Sequence, residues 1–139
     1  MDEAIENIHK AITLNPTLAS AYNSLGTYLS HQRDIRGATH AFKEALIWNP
    51  GFAMAHTNLG ALFAKEGQPK KALQEFERAL AINPLSPETH LYLGSLLLSM
   101  KKPQDALSHL SESLRLDPQQ ERAEEIRRLI RQIERRAPL

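Results

Sequence analysis

The chain has 139 residues, with 17 Lys plus Arg against 16 Asp plus Glu and a formal net charge of +1. That balance excludes a nucleic-acid binder working through clustered positive charge, and the absence of cysteine excludes a disulfide scaffold, a zinc–thiolate site and a cysteine nucleophile. Seventeen alanines, 21 leucines and no valine argue against a sheet. The opening Met1-Asp2-Glu3-Ala4 is acidic, so a signal peptide is not expected there, and no apolar run approaches the roughly 20 residues of a membrane span.

In chain order, residues 2–14 form the first predicted helix, with Ile5, Ile8 and Ile12 on one stripe. Asn15-Pro16 stops it, because the residue before proline is pushed out of the helical region. The second predicted helix, Ala19–His31, carries Tyr22, Leu25, Gly26 and Leu29 at helical spacing. Asp34 is placed to cap a third, Ile35–Trp48, with Ala38, Phe42, Ala45 and Leu46 inward, and Asn49-Pro50 ends it. The pattern then recurs every 34 residues. Asn83-Pro84 and Asp117-Pro118 continue the stops; Leu59-Gly60 and Leu93-Gly94 follow Leu25-Gly26; Ala72 and Ala106 follow Ala38; Phe76 and Leu110 follow Phe42. Pro69 and Pro103 take the first helical turn, where a missing N–H has no partner to lose. Mid-helix glycine costs about 1 kcal/mol against alanine. Its return at Gly26, Gly60 and Gly94 implies a close helix–helix approach, with Ala38, Ala72 and Ala106 as the matching small surface. The last predicted helix, 121–136, has an inner stripe of Ala123, Ile126, Ile130, Ile133 and Ala137, glutamates at its start and arginines at its end.

Tyr22-x2-Leu25-Gly26, then Ala38-x3-Phe42-x2-Ala45, then Pro50, resembles the tetratricopeptide repeat. The resemblance implies an all-α fold, an α-solenoid of stacked antiparallel helix pairs forming a right-handed superhelix. It divides the chain into a half repeat (1–18, second helix only), three full repeats (19–52, 53–86, 87–120) and a C-terminal capping helix (121–139). The sequence departs from the pattern at His56 and His90, which replace an aromatic, at the aliphatic Leu29 and Leu97, and at Leu110 and Ser113. The half repeat fits either a piece of a longer array or an apolar edge that another molecule covers, the first being the expectation. Any homodimer is expected to form through that edge, around Ile5, Ile8 and Ile12.

Nothing in the sequence points to chemistry. Gly26, Gly60 and Gly94 lie in helices at repeat spacing, and no phosphate-cradling glycine loop is found. The six histidines show no i, i+3 or i, i+4 pairing, so His56 and His90 are expected to be packing residues rather than metal ligands. No catalytic residue, metal or cofactor is expected. In the family, first helices line the concave side, and the helix period then selects a groove stripe. Its residues are Ser20, Asn23, Thr27 and Ser30 in the first full repeat, and Met54, Thr57 and Ala61, with Asn58 bordering, in the second. In the third they are Glu88, Leu91 and Ser95, with Tyr92 bordering. Some members grip a C-terminal carboxylate with lysines, an arginine and asparagines; of those positions only Asn58 matches here, which argues against that mode. The expectation is a non-enzymatic protein–protein interaction scaffold that holds an extended peptide or helix of a partner. The alternative is a targeting or regulatory arm of a larger enzyme such as a glycosyltransferase. Neither nucleic-acid binding nor membrane insertion is expected, and a cytoplasmic location is the expectation.

Overall fold

The structure is a computed structural model that describes residues 2–136. Among them are eight α-helices and no strand: α1 (Glu3–Leu14), α2 (Ala19–His31), α3 (Ile35–Trp48), α4 (Ala53–Lys65), α5 (Pro69–Ile82), α6 (Pro87–Ser99), α7 (Pro103–Leu116) and α8 (Ala123–Arg136). The helices fall into two compact units, one ending at Ile82 and one beginning at Asn83.

In the first unit, Asp2 caps α1 by accepting from the Ala4 N–H at 3.0 Å. Ile5 is buried and Ile8 and Ile12 are half-buried as α1 packs on α2. The pairs α2–α3 and α4–α5 are helical hairpins. Each first helix ends in a left-handed residue, Arg33 at φ 63° and Gly67 at φ 70°. Around Arg33, the Asp34 N–H reaches the Leu29 carbonyl at 2.9 Å and the Arg33 N–H reaches Ser30 at 3.0 Å. Around Gly67, Gln68 reaches Phe63 and Gly67 reaches Ala64. This double bond is the Schellman closure, which satisfies two otherwise orphaned helix carbonyls. Asp34 then accepts from the Gly37 N–H at 3.0 Å and starts α3.

The repeated glycines make room for rings. A Cβ at Gly26 would lie 2.5 Å from Phe42, and one at Gly60 would lie 2.8 Å from Phe76. The close approach is therefore ring on backbone, one turn beyond the alanines that the sequence nominated. Those alanines, Ala38 and Ala72, are fully buried beside it. Phe42 joins Ala38, Leu59 and Leu62 in a core that Leu29, Ile35, Leu46 and Phe63 close.

The second unit repeats the device with different residues. Ser86 caps α6 by accepting from the Thr89 N–H at 3.2 Å. Lys101, at φ 62°, takes the left-handed position, with Lys102 bonded to Leu97 and Lys101 to Leu98. Leu110 fills the place over Gly94. Ser113 is fully buried and its hydroxyl donates to the Pro87 carbonyl at 2.7 Å, while the Gln120 amide donates to the Ser113 carbonyl at 3.0 Å. The Asn/Asp-Pro stops of both units are Asx turns. Asn15, Asn49, Asn83 and Asp117 each accept from the N–H two residues on, at 3.1 to 3.2 Å.

The last helix starts at Ala123 and not at 121, because residues 117–122 form the turn that follows α7, with the Ala123 N–H bonded to Gln120. Ala123, Ile126 and Ile133 are buried and Ile130 is half-buried. Ala137, the last residue expected on that stripe, lies outside the described residues. Arg122 pairs with Glu125 and Arg127 with Glu124.

Candidate interaction surface

In the two hairpins of the first unit, the first and second helices differ in charge. Helix α2 carries no Asp, Glu, Lys or Arg, and α4 carries only Lys65 at its end. Helix α3 carries Arg36, Lys43 and Glu44; α5 carries Lys70, Lys71, Glu75, Glu77 and Arg78. Water solvates charge cheaply, so a partly exposed surface without charge is the composition expected of an interface and not of a purely solvated face.

Helices α2 and α4 touch directly. Across them the Asn58 amide donates to Asn23 Oδ1 at 3.0 Å. Ser20, Thr27 and Met54 are exposed beside this bridge, and Ser30, Asn58 and Ala61 are half-buried. Asn23 and Thr57, expected on the open stripe, are instead buried. Asn23 turns inward to receive the Asn58 amide, and Thr57 turns its hydroxyl back to the Ala53 carbonyl at 3.2 Å. In the second unit, α6 exposes Glu88 and leaves Tyr92 and Ser95 half-buried, but Leu91 is only 3% exposed and cannot meet a partner. Burial holds the Tyr92 hydroxyl above the usual phenol range, and the Glu88 carboxylate that it bonds adds to the effect, while Arg122 opposes it.

The N-terminal edge is partly closed, with Ile8 and Ile12 half-buried. Ile5 lies in the core at 7% exposure, because α1 spends its stripe on α2. Leu14, at the end of α1, is 86% exposed.

The residues at the first aromatic position share one task. The Tyr22 hydroxyl donates to the Pro16 carbonyl at 2.8 Å, and Nε2 of His56 and of His90 meets the Pro50 and Pro84 carbonyls at 3.2 and 2.8 Å. Each ties its helix to the preceding stop. The second histidine nitrogen faces the paired helix, His56 Nδ1 toward Glu75 at 2.7 Å and His90 Nδ1 toward His109 Nδ1 at 3.0 Å. Glu75 also receives Arg78 at 2.7 Å. Sequence reading alone missed both pairs, which are 19 residues apart; the signal was that the hairpin register places position 75 opposite 56 and 109 opposite 90. Among the described residues no group of three metal-ligating side chains comes together, and no helix is long and apolar enough to cross a membrane.

Tetratricopeptide-repeat family models match residues 63–133 and 23–87. The chain belongs to the tetratricopeptide repeat family. A comparison with curated proteins finds no significant sequence match. Among solved structures, this tetratricopeptide-repeat chain is similar to YrrB, described as a protein of the same repeat type with an unusual peptide-binding site. The TM-score is 0.81 at 25% identity, over 91% of this chain and 63% of YrrB. It is similar to TTC0263, a thermophilic protein of the same repeat type from Thermus thermophilus, with TM-score 0.78 and 25% identity over 94% of this chain and 71% of the other. The first repeat domain of Spaghetti, bound to the HSP90 peptide SRMEEVD, shares the fold with TM-score 0.78 at 17% identity, over 85% of this chain and 91% of that domain.

Proposed function

We propose that this tetratricopeptide-repeat chain is a protein-interaction scaffold that holds an extended or helical segment of a partner on the exposed face of α2 and α4. The observation that carries the reading is the uncharged face of those two helices beside the charged α3 and α5. That Spaghetti's repeat domain and YrrB are described with peptides or a peptide-binding site supports it. Ser20, Thr27, Ser30, Met54, Asn58 and Ala61 would make the contacts, with hydroxyl and amide groups pairing the partner's backbone and Met54 and Ala61 giving apolar contact. Glu88, Tyr92 and Ser95 offer a second, more polar surface on α6. The face carries no cation to hold a carboxylate, so the partner segment is engaged along its length and not by its terminus.

The test is selection of peptides from a display library on the immobilised chain, followed by anisotropy titration of those recovered. Thr27→Arg and Met54→Glu should each weaken binding about tenfold or more, the loss of one central contact. Ile47→Glu, on exposed α3 surface, should not. Selected peptides that ignore the first two changes and respond to the third would overturn the proposal.

A further inference from the structure

The His56–Glu75 and His90–His109 pairs occupy the same register in successive hairpins but differ in what faces the second ring nitrogen, a carboxylate in one and another imidazole nitrogen in the other. Both partners of the His56 ring can accept, the Pro50 carbonyl and the Glu75 carboxylate, so a hydrogen on either ring nitrogen finds an acceptor. His90 is different. The Pro84 carbonyl can only accept, so His90 Nε2 carries a hydrogen. Its Nδ1 then meets His109 Nδ1, and one hydrogen between the two nitrogens makes the bond. The ring centroids are 5.3 Å apart and the planes inclined by 26°, so with 3.0 Å between the nitrogens the rings meet edge to edge. A second proton would set N–H against N–H. His90 is 8% exposed and cannot turn to water, so the half-buried His109 must leave, stranding a buried N–H on His90.

We propose that the His90–His109 pair makes the α6–α7 hairpin a built-in acid-sensitive joint, which loosens when both rings are protonated, while the equivalent His56–Glu75 pair keeps the α4–α5 hairpin closed over the same pH range. The charged groups around the pair do not cancel this effect. On α7, Asp105 favours a charged His109, and Glu112 is engaged by Arg115. On α6, the nearest acid, Glu88, is bonded by Tyr92. Just before α8, Arg122 is paired with Glu125. Burial, and then His90, hold His109 below the ordinary histidine value of 6.5, outweighing Asp105. The folded chain therefore binds fewer protons than the unfolded chain as pH falls below that value. The contribution to stability is complete above it and is lost on the way down to the folded value.

The experiment is urea unfolding followed by far-ultraviolet circular dichroism across the window from about pH 7.5 to about pH 5.5, where histidine charge changes. Backbone amide NMR of α6 and α7 gives the local readout. The full chain should lose up to about tenfold in its folding constant per pH unit below the histidine value, the slope of one excess proton in the unfolded state. His109→Glu rebuilds the histidine–carboxylate pair and should abolish the slope. His109→Gln, whose amide can turn to donate or accept, should flatten it. Glu75→His should transplant the acid sensitivity into α4 and α5. Equal slopes in the wild type, His109→Glu and His109→Gln would overturn the proposal, as would acid-induced amide changes confined to α4 and α5. Neither outcome bears on peptide binding by α2 and α4, so the two proposals stand or fall separately.

Discussion

Replacing Gly60 by alanine isolates the contact around which the hairpins are built. In an open helix interior this change stabilises by about 1 kcal/mol, because glycine loses more backbone freedom on folding. Here the new Cβ would sit 2.8 Å from both Cδ1 and Cε1 of Phe76, closer than carbon atoms tolerate. Phe76 is 1% exposed and has nowhere to retreat. Overpacking of this kind costs about 1–3 kcal/mol. Set against the propensity gain, the net expectation is a destabilisation of about 1 kcal/mol, and Gly60→Leu should cost more. Gly51→Ala is the control, since its Cβ would meet nothing nearer than Asn49 Oδ1 at 3.7 Å, and it should stay within about 0.5 kcal/mol of wild type. Urea midpoints at constant m-value measure all three. A Gly60→Ala protein about 1 kcal/mol more stable than wild type would refute the ring-on-glycine account.

Arg33→Gly and Lys101→Gly relieve left-handed strain and should each stabilise by about 0.5–1 kcal/mol in thermal melts, whereas Gly67→Ala should destabilise by a similar amount. Ser113→Ala removes the buried hydroxyl that bonds Pro87 and should lower the urea midpoint by the equivalent of about 1 kcal/mol, while the exposed Lys70→Ala should change it by less than about 0.5 kcal/mol. A short acidic peptide with a free C-terminal carboxylate should bind weakly or not at all in calorimetry, and amidating its end should change nothing. Because Ile5 is buried, Ile5→Lys should lower stability by about 2 kcal/mol or more in urea unfolding, and light scattering at matched concentration should show no change of mass.

Most of the fold could be read because each local signal repeats. The Leu-Gly step, the inward alanines and the Asn-Pro stops placed α2 and α3 at Ala19–His31 and Ile35–Trp48, where they lie in the structure. The left-handed turn positions were harder. Only Gly67 advertises one, while arginine and lysine fill the same register at 33 and 101 and give no compositional sign. The lack of charge along α2 and α4 was legible, but not which of their residues face water. Helical period alone cannot tell that Asn23 turns toward Asn58, or that Leu91 is covered, because both depend on the neighbouring helix. The histidine pairs were invisible to a search along one helix, since their partners lie across a hairpin.

The most direct test of the proposed function is backbone amide NMR of the chain titrated with a selected peptide, read together with Trp48 fluorescence. Trp48 is the chain's single tryptophan and sits at the end of α3, 47% exposed. The account predicts shifts centred on Ser20, Thr27, Met54, Asn58 and Ala61 with Trp48 emission unchanged. Shifts centred on Lys43, Ile47 and Arg78, with Trp48 emission moving to the blue, would contradict it.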